Sequence, residues 1–570
     1  MMGPALAGER ATAPVLPDTD DSGWSVPDWA MEAVWYQVLV CRFCNGDPTN
    51  DPPGTVPWST DWGSLLPGER PPLRDRLFDR PYGGDLAGLR SKFSYLRDLG
   101  VNTLYLNPIF QAPSQHKYDT ADHRHIDDTY GKAGSLAEIS GETENPDTWQ
   151  WSASDRLFLS LLEEAHGMGL RVVVDGVFNH VGREFWAWRD VVENGRNSAY
   201  ANWFDVTDWG PPLRWRAWDG PDGHLPCFRP EGDGLDPAVE AYLFAVVRRW
   251  MDPNGDGDPS DGVDGWRLDA AEQVSHGFWE RFRRQVKAVN PDAIIVGEIW
   301  TDARPWLAGD QFDVVTNYPF AAPVLRFFTQ DDTGYSAASL SDDLLGLAGD
   351  HPWSVTTSLL NLLGSHDTER VASAMTDPQR RARGVAGTED AIPRRDLLVP
   401  DDDAYRRMGL SVVLQYTWPG APILYYGDEV GMYGGDDPFC RAPMWWDRTG
   451  SGGLADLYRR LAALRSQHTV LRDGPVCVLI ADDSSRVFAF QRGVDKAKVI
   501  VVINGDRWPH AVRLTTGPVK GGFKALPLLG RWSGGDGPGD VSPAGVRRAS
   551  DGSVVLDMKG LSAVMLAAQP

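Results

Sequence analysis

Short apolar runs alternate with segments of helical periodicity through most of the chain, and this alternation most constrains the fold. In the first helical segment, apolar residues from Leu86 to Leu99 recur at the spacing of one helix face, and Gly100 ends it. Eight strands alternating with helices are typical of a closed parallel barrel. We therefore predict an α/β fold, a (β/α)8 TIM barrel. Its strands are the apolar runs at 35–40, 101–106, 171–175, 262–269, 293–300, 312–318, 359–363 and 422–426.

Changes in composition along the chain predict its domains. Residues 1–30 are rich in Pro, Gly, Ala and acidic residues, and we expect a flexible tail there. The barrel spans 31–468, and the long stretch between its third and fourth strands predicts a small inserted domain over 181–250. From 469 to 570, short β-runs lie between Gly, Pro and Asp turns, which predicts a C-terminal antiparallel β-sandwich. These runs are at 476–480, 487–491, 499–503, 511–514, 525–529 and 554–556.

The charge of the chain argues against two classes of partner. Its formal net charge is -24, whereas nucleic acids and anionic membranes both require basic patches. We therefore expect a neutral substrate, no nucleic acid and no membrane. No apolar run is long enough for a signal-peptide core or a membrane span, so we predict a cytoplasmic protein. The five cysteines are scattered and imply no disulfide framework.

Charged side chains gather where the predicted strands end. Arg267 and Asp269 are two residues apart, so both point to the same side of the fourth strand. The guanidinium favours an ionised carboxylate, although an isolated pair of this kind is more often a structural ion pair. Because the carboxyl ends of barrel strands meet at one edge, we predict an active site there. Other strand ends add Glu298, His180, His366 and Asp367.

Four motifs at these strand ends carry a resemblance to a known family. They read Asp-Gly-Val-Phe-Asn-His at 175–180, Gly-Trp-Arg-Leu-Asp at 265–269, Gly-Glu-Ile-Trp at 297–300 and Ser-His-Asp at 365–367. In this order they resemble the sequence signatures of the α-amylase family of glycoside hydrolases, glycoside hydrolase family 13. Similar stretches at 35–37, 42–48, 116–122, 317–319, 426–429 and 435–441 point to its neopullulanase, cyclomaltodextrinase and maltogenic amylase branch.

The resemblance implies a role for each of these side chains. Asp269 would be the nucleophile, Glu298 the general acid/base, and Asp367 a third acid that holds sugar hydroxyls. A retaining glycosidase needs one ionised and one protonated carboxyl about 5 Å apart, and we expect Arg267 to keep Asp269 ionised. The substrate-binding residues implied are Tyr118, His180, Arg267, His366, Asp437 and Arg441.

Calcium is the expected cofactor, with no organic cofactor. The resemblance implies that one site comprises Asn45, Asp47, Asn50, Asp51, Gly83 and Asp85. Oxygen ligands at this density suit a hard cation, and Asp85 is also suited to cap a helix. A second acidic loop at 252–261 begins like an EF-hand but lacks the glutamate at its twelfth position. Calcium and a solvated turn are equally good interpretations of that loop.

These observations predict a retaining α-glucan hydrolase that cleaves α-1,4-glucosidic bonds of maltodextrins, starch or related oligosaccharides. Cleavage of α-1,6 bonds is an open alternative. A transglycosylase or isomerising enzyme of the same fold is a second alternative, because sugar as well as water can resolve a covalent glycosyl-enzyme. A non-catalytic sugar-binding protein is disfavoured, since all three acids are present. Oligomeric state and endo or exo action stay open.

Overall fold

Eight parallel strands form one sheet that closes on itself. The computed structural model describes residues 26–329, 334–376, 399–450, 453–494, 497–515, 522–526, 528, 544–549 and 553–569. The strands of this sheet are β1 (Trp35–Val38), β2 (Thr103–Leu106), β3 (Arg171–Gly176), β4 (Gly265–Leu268), β5 (Ile294–Gly297), β6 (Val314–Val315), β7 (Leu360–Asn361) and β8 (Ala421–Tyr425). In sheet order they are β6, β5, β4, β3, β2, β1, β8 and β7, and a parallel bridge between Thr316 and Leu360 joins the two ends. The predicted barrel is therefore confirmed.

Burial on both faces explains why such short apolar runs become strands. A parallel strand in a barrel is covered by the barrel interior on one side and by helices on the other. Val172 to Val174 of β3 and Ile294 to Val296 of β5 are all 0% exposed. Because their side chains are buried on alternating sides, only the ends of these strands are left to present polar groups.

The helices surround this sheet, and one of them differs from the sequence prediction. The segment predicted as one helix up to Gly100 forms two helices that are separated by a turn at 91–92. Asp85 caps the first, since its side chain accepts a hydrogen bond from the Gly88 amide. The helices are Leu73–Asp79, Leu86–Arg90, Phe93–Leu99, Ala153–Gly167, Trp186–Asn194, Pro237–Met251, His276–Val289, Tyr318–Thr329, Ala337–Gly349, Trp353–Thr356, Val371–Ala374, Asp402–Thr417 and Gly453–Gln467.

The connection from β3 to β4 carries the additional structure predicted there. It holds the helix Trp186–Asn194 and a small antiparallel ladder between Val206–Asp208 and Arg214–Trp215. The helix Pro237–Met251 follows and packs on the next barrel helix, with the rings of Phe244 and Phe278 stacked at 5.7 Å. We infer that the inserted unit ends before this helix rather than at residue 250.

Two antiparallel sheets form the C-terminal region. Within the described part of this region one sheet has five strands and the other three, and apolar residues of both, including Val502 and Leu556, share a separate buried cluster. This is the packing of a β-sandwich. The predicted β-runs do not include the strands Ala544–Arg548 and Ser562–Ala568. The strands are β9 (Val476–Asp482), β10 (Val487–Arg492), β11 (Val499–Asn504), β12 (His510–Leu514), β13 (Phe523–Leu526), β14 (Ala544–Arg548), β15 (Val554–Met558) and β16 (Ser562–Ala568).

Two buried arginines connect this region to the barrel. Arg492 at the end of β10 donates to the carbonyl oxygens of Thr417 at 2.7 Å and Gly474 at 2.9 Å. Arg465 donates to the carbonyl of Leu471 at 2.7 Å, which Arg492 also contacts. Carbonyls at a helix C-terminus lack partners within the helix and carry partial negative charge, so a cation is stabilised there.

Two sequence predictions are only partly addressed by this fold. Most of the tail predicted at 1–30 lies outside the described residues, which begin at Val26. Among the described residues, no helix combines the length and the apolar character needed to cross a bilayer.

Candidate active site

A cavity of about 580 Å³ opens at the carboxyl ends of the barrel strands. The three predicted acids line it together: Asp269 follows β4, Glu298 follows β5, and Asp367 lies in the loop after β7. Five of the six residues predicted to bind substrate share this lining, and Arg267 lies buried beneath the carboxylates. Those five are Tyr118, His180, His366, Asp437 and Arg441.

Arg267 is shared among three carboxylates. Its Nη1 contacts Asp269 at 3.1 Å and both carboxylate oxygens of Asp175 at 3.0 Å, while its Nη2 contacts Glu298 at 2.8 Å. Since Asp269 and Glu298 contact the same guanidinium group, the two carboxyls lie close together. One cation beside three acids leaves net negative charge beneath the cavity.

The electrostatics of Asp269 differ from the sequence expectation. Burial and the neighbouring Glu298 carboxylate raise the pKa of Asp269 well above its usual range, and Arg267 offsets only part of that rise. Arg267 does favour the ionised form of Asp269, as expected, but its guanidinium is divided among three carboxylates, so its effect on this pKa is smaller than that of burial. The raised pKa means that Asp269 holds a proton more tightly than an isolated aspartate does.

Glu298 is held in place by three hydrogen-bond donors. Its Oε2 accepts from the backbone amide of Ala270 at 2.8 Å, and its Oε1 accepts from the indole of Trp300 at 3.2 Å and from Arg267. Trp300 in turn stacks on Tyr318 with ring centroids 3.7 Å apart, and 45% of its surface is exposed. Glu298 thus has a defined orientation toward the cavity before any ligand arrives.

His366 and Tyr118 form a stacked pair at the base of the cavity. Their rings are nearly parallel with centroids 5.4 Å apart, and the Tyr118 hydroxyl lies 2.6 Å from His366 Nε2. Gln37 of β1 donates its amide to His366 Nδ1 at 2.8 Å. Burial, followed by Arg441 and Arg267, lowers the pKa of His366 well below its usual value. The ring is therefore neutral, and its single N–H lies on Nε2, toward the cavity.

The remaining predicted residues form the rim. Arg441 contacts Asp367 at 3.0 Å and Asp437 at 2.8 Å, so it bridges these two acids. Burial raises the pKa of Asp437 to about 6. On the opposite side, the ring of His180 lies 5.5 Å from that of Trp218, and burial lowers the pKa of His180 to about 4. The rim therefore offers a neutral imidazole, a cation, carboxylates and an exposed aromatic face.

Sequence reasoning missed several side chains that the fold brings here. Asp175 accepts the hydroxyls of Tyr105 at 2.7 Å and Tyr118 at 2.9 Å beneath the site. It lies in a motif that the sequence analysis quoted, so its strand-end position could have identified it. Gln37 lies in the quoted stretch 35–37, but that stretch gives no sign of its contact with His366, and no local pattern marks Trp218. Phe78, His116, Glu272, Gln273 and Trp300 also line the cavity.

The residues predicted to bind calcium lie together beside the first barrel helices. Asn45 donates to Asp51 at 2.7 Å, and a Cβ added at Gly83 would meet the same Asp51 oxygen at 2.1 Å. The Oδ1 atoms of Asn45 and Asn50 are buried and have no hydrogen-bond partner among the described residues. Two unpartnered buried oxygens near a carboxylate fit a hard cation.

Two other predicted ligands have partners already. Asp85 accepts the backbone amides of Gly46 at 3.0 Å and Asp47 at 2.7 Å, in addition to capping its own helix. The Asp47 carboxylate accepts the amide and the hydroxyl of Thr49. The capping role suggested for Asp85 is thus observed. Its hydrogen bonds also hold the loop at 45–51, which carries the unpartnered Oδ1 atoms of Asn45 and Asn50.

The chain is similar to known proteins along most of its length. Residues 37–147 and 154–471 match the alpha amylase catalytic domain. Neopullulanase 2 of Thermoactinomyces vulgaris is 39% identical over 512 residues, covering 89% of this chain and 74% of that protein. A cyclomaltodextrinase of Geobacillus thermopakistaniensis is 37% identical, covering 84% of this chain and 70% of the relative.

The fold has solved counterparts as well. The cyclic α-maltosyl-(1→6)-maltose hydrolase of Arthrobacter globiformis in complex with maltose aligns with a TM-score of 0.71 at 31% identity, covering 95% of this chain and 100% of that one. Strand-end carboxylates, sequence and fold thus agree, and the chain belongs to the alpha-amylase family of glycoside hydrolases.

Proposed function

We propose that this enzyme is a retaining hydrolase of α-glucans that cleaves α-1,4- and α-1,6-glucosidic bonds in maltodextrins, starch and related oligosaccharides. The observation that carries this proposal is the convergence of Asp269, Glu298 and Asp367 on one cavity, with one arginine contacting the first two. Relatives named neopullulanase and cyclomaltodextrinase support an α-glucan as the substrate.

Two carboxyls close together in one cavity suit a double displacement. In the first step Asp269 attacks the anomeric carbon while Glu298 gives its proton to the departing glycosidic oxygen, which leaves a covalent glycosyl-enzyme. In the second step Glu298 takes a proton from water, the water oxygen attacks the same carbon, and Asp269 leaves. Glu298 is oriented for this proton transfer by hydrogen bonds from the backbone amide of Ala270 and the indole of Trp300.

The remaining groups bind the sugar that is cleaved. Asp367 and the Nε2–H of His366, 3.1 Å apart, supply an acceptor and a donor for adjacent hydroxyls. Asp437 and Arg441 hold the neighbouring sugar at the rim. The aromatic face of Tyr118 supports the sugar ring from beneath.

A calcium ion would serve the scaffold rather than the chemistry. Asn45, Asn50, Asp51 and the carbonyl of Gly83 would hold it, with Asp47 and Asp85 shaping the loop. A hard divalent cation would neutralise the loop acids and tie residues 45–51 to 83–85, just after β1.

The assignment of the two carboxyls is tested by azide rescue with a 4-nitrophenyl α-maltooligoside, whose leaving group needs little protonation. We expect Asp269→Ala and Glu298→Ala each to lower kcat on starch by more than about a thousandfold. Azide should convert the first variant's substrate to the β-glycosyl azide by direct displacement. In the second variant, azide should attack the glycosyl-enzyme and yield the α-glycosyl azide.

Asp292→Ala is the matched control. This exposed aspartate precedes β5 at the opposite end from Glu298, so its loss should leave activity unchanged. Exchange of the two azide anomers would show that the roles are reversed. Starch turnover within tenfold of wild type in either active-site variant would contradict the proposed mechanism.

Transglycosylation is the second function that a specific observation favours. The indole rings of Trp218 and Trp300 are 54% and 45% exposed at the cavity, and such flat faces suit an incoming sugar acceptor. Product analysis with maltotriose at low and high concentration would separate the two reactions. Longer oligosaccharides that grow with substrate concentration would favour transfer, whereas glucose and maltose alone would favour hydrolysis.

A further inference from the structure

A second concave surface lies beside the catalytic cavity. We propose that this aromatic groove, formed by Trp58, Trp62, Tyr433, Trp445 and Trp446, binds a stretch of α-glucan chain outside the catalytic cavity. The inference rests on the proposed function, because it takes the glucan polymer as the substrate. The groove has a volume of about 810 Å³, which is within the range of ligand sites in proteins.

Direct contacts make the groove rigid. The Trp58 indole donates to the Met444 carbonyl at 3.0 Å, which joins the 58–62 wall to the 442–448 wall. The Trp446 indole donates to the Phe43 carbonyl at 2.6 Å, and Lys92 lies 4.1 Å from the centre of the Trp446 ring. Because the rings are held before any ligand binds, little conformational entropy is lost on binding.

The exposed part of the groove combines flat rings with hydrogen-bonding groups. Trp58, Tyr433 and Trp445 are partly buried, so each still presents some ring surface. The exposed side chains of Ser59, Asp447 and Arg448 lie among the lining residues, and the Arg448 guanidinium is 4.1 Å from the centre of the Trp445 ring. Aromatic faces with hydroxyl, carboxylate and guanidinium groups match a sugar, which has apolar C–H faces and a rim of hydroxyls.

The charge and position of the groove favour the polymer over other ligands. Asp61 and Asp447 line it and the chain has a net charge of -24, which disfavours an anionic ligand. The connection after β8 lines both sites: Asp437 and Arg441 face the cavity, while residues 442–448 face the groove. A long glucan held in the groove is therefore kept close to the cavity that cleaves it.

Native-gel retardation in soluble starch tests the binding directly. All proteins carry Asp269→Asn so that the polymer is not cleaved during the run. We expect Trp445→Ala to weaken retardation at least threefold. Ser59→Arg should weaken it to the same extent, because it places a long side chain over the groove from an exposed position and leaves the core undisturbed. The control is Trp508→Ala, since Trp508 is 71% exposed in the C-terminal region; it should not change retardation.

Kinetics of the active enzyme then separate the groove from the catalytic site. We expect both groove variants to lower kcat/KM on starch at least fivefold relative to kcat/KM on 4-nitrophenyl α-maltoside. Unchanged retardation, or an equal loss on both substrates, would overturn the inference. If the wild type hydrolyses neither substrate while starch still retards it and the groove variants weaken that retardation, the proposed hydrolase function is refuted, whereas glucan binding by the groove is supported.

Discussion

Replacing Gln37 by methionine tests how the barrel controls the proton on His366. Gln37 is 3% exposed on β1, and its amide donates to His366 Nδ1 at 2.8 Å. Methionine has nearly the same length and volume, so the change removes the donor with little loss of packing. His366 then has no fixed tautomer. With the proton on Nδ1, Nε2 would face the carboxylate of Asp367, 3.1 Å away, as an acceptor.

The size of the effect follows from these contacts. A buried acceptor without its donor costs about 1–3 kcal/mol. If that cost falls on the transition state, kcat/KM decreases about 5- to 150-fold, because about 1.4 kcal/mol corresponds to a factor of ten. Stability should fall as well, and a loss of stability alone would indicate a purely structural role.

The assay is kcat/KM on 4-nitrophenyl α-maltoside at temperatures well below Tm. The matched control is Gln415→Met, another buried glutamine, whose amide donates to the backbone carbonyls of Asn361 at 2.8 Å and Ile423 at 2.9 Å. Both variants should lower Tm, but only Gln37→Met should lower kcat/KM. If kcat/KM of Gln37→Met stays within twofold of wild type, the proposed control of the tautomer is refuted.

Two further predictions concern stability. Calcium at a hundred times its Kd should stabilise the enzyme by about 2.7 kcal/mol, which is measured as a rise in Tm over chelator-treated protein. Asp51→Ala should remove that rise. An equal Tm with calcium and with chelator would contradict the proposed calcium site. Burial lowers the pKa of His125, but hydrogen bonds to Asp155 and Glu142, each at 2.8 Å, outweigh this and raise it to about 9. The folded pKa exceeds the usual 6.5, so this contribution of about 3 kcal/mol is complete below pH 6.5 and is lost as the pH rises through 9. The Tm of His125→Gln should lack this pH dependence, and a wild-type Tm that is constant from pH 6.5 to 9 would refute it.

The barrel was predictable because its strands are buried on both faces. Such strands must be apolar throughout, and helices must separate them, so the local composition of the chain predicts the order of its strands and helices. The sandwich strand Ser562–Ala568 was not predicted, even though it pairs with a strand on each side. Alanine and serine make up most of it, and these residues carry little preference for strand.

The identities of the strand-end acids were also accessible from the sequence. Asp269, Glu298 and Asp367 follow apolar runs, and the carboxyl ends of barrel strands share one edge whatever the loops do. How these acids interact was not accessible. Arg267 is two residues from Asp269 in the chain, but in the fold Asp175 and Glu298 share it.

The sequence by itself therefore determined the barrel, its order and the chemical groups at its rim, because these depend on local periodicity and on the direction of parallel strands. Only the tertiary structure decided which groups touch. Gln37 reaches His366 across 329 positions, and Trp58 reaches Met444 across 386. Hydrogen bonds and pKa values depend on distances of a few ångströms between segments far apart in the chain, and no local pattern encodes those distances.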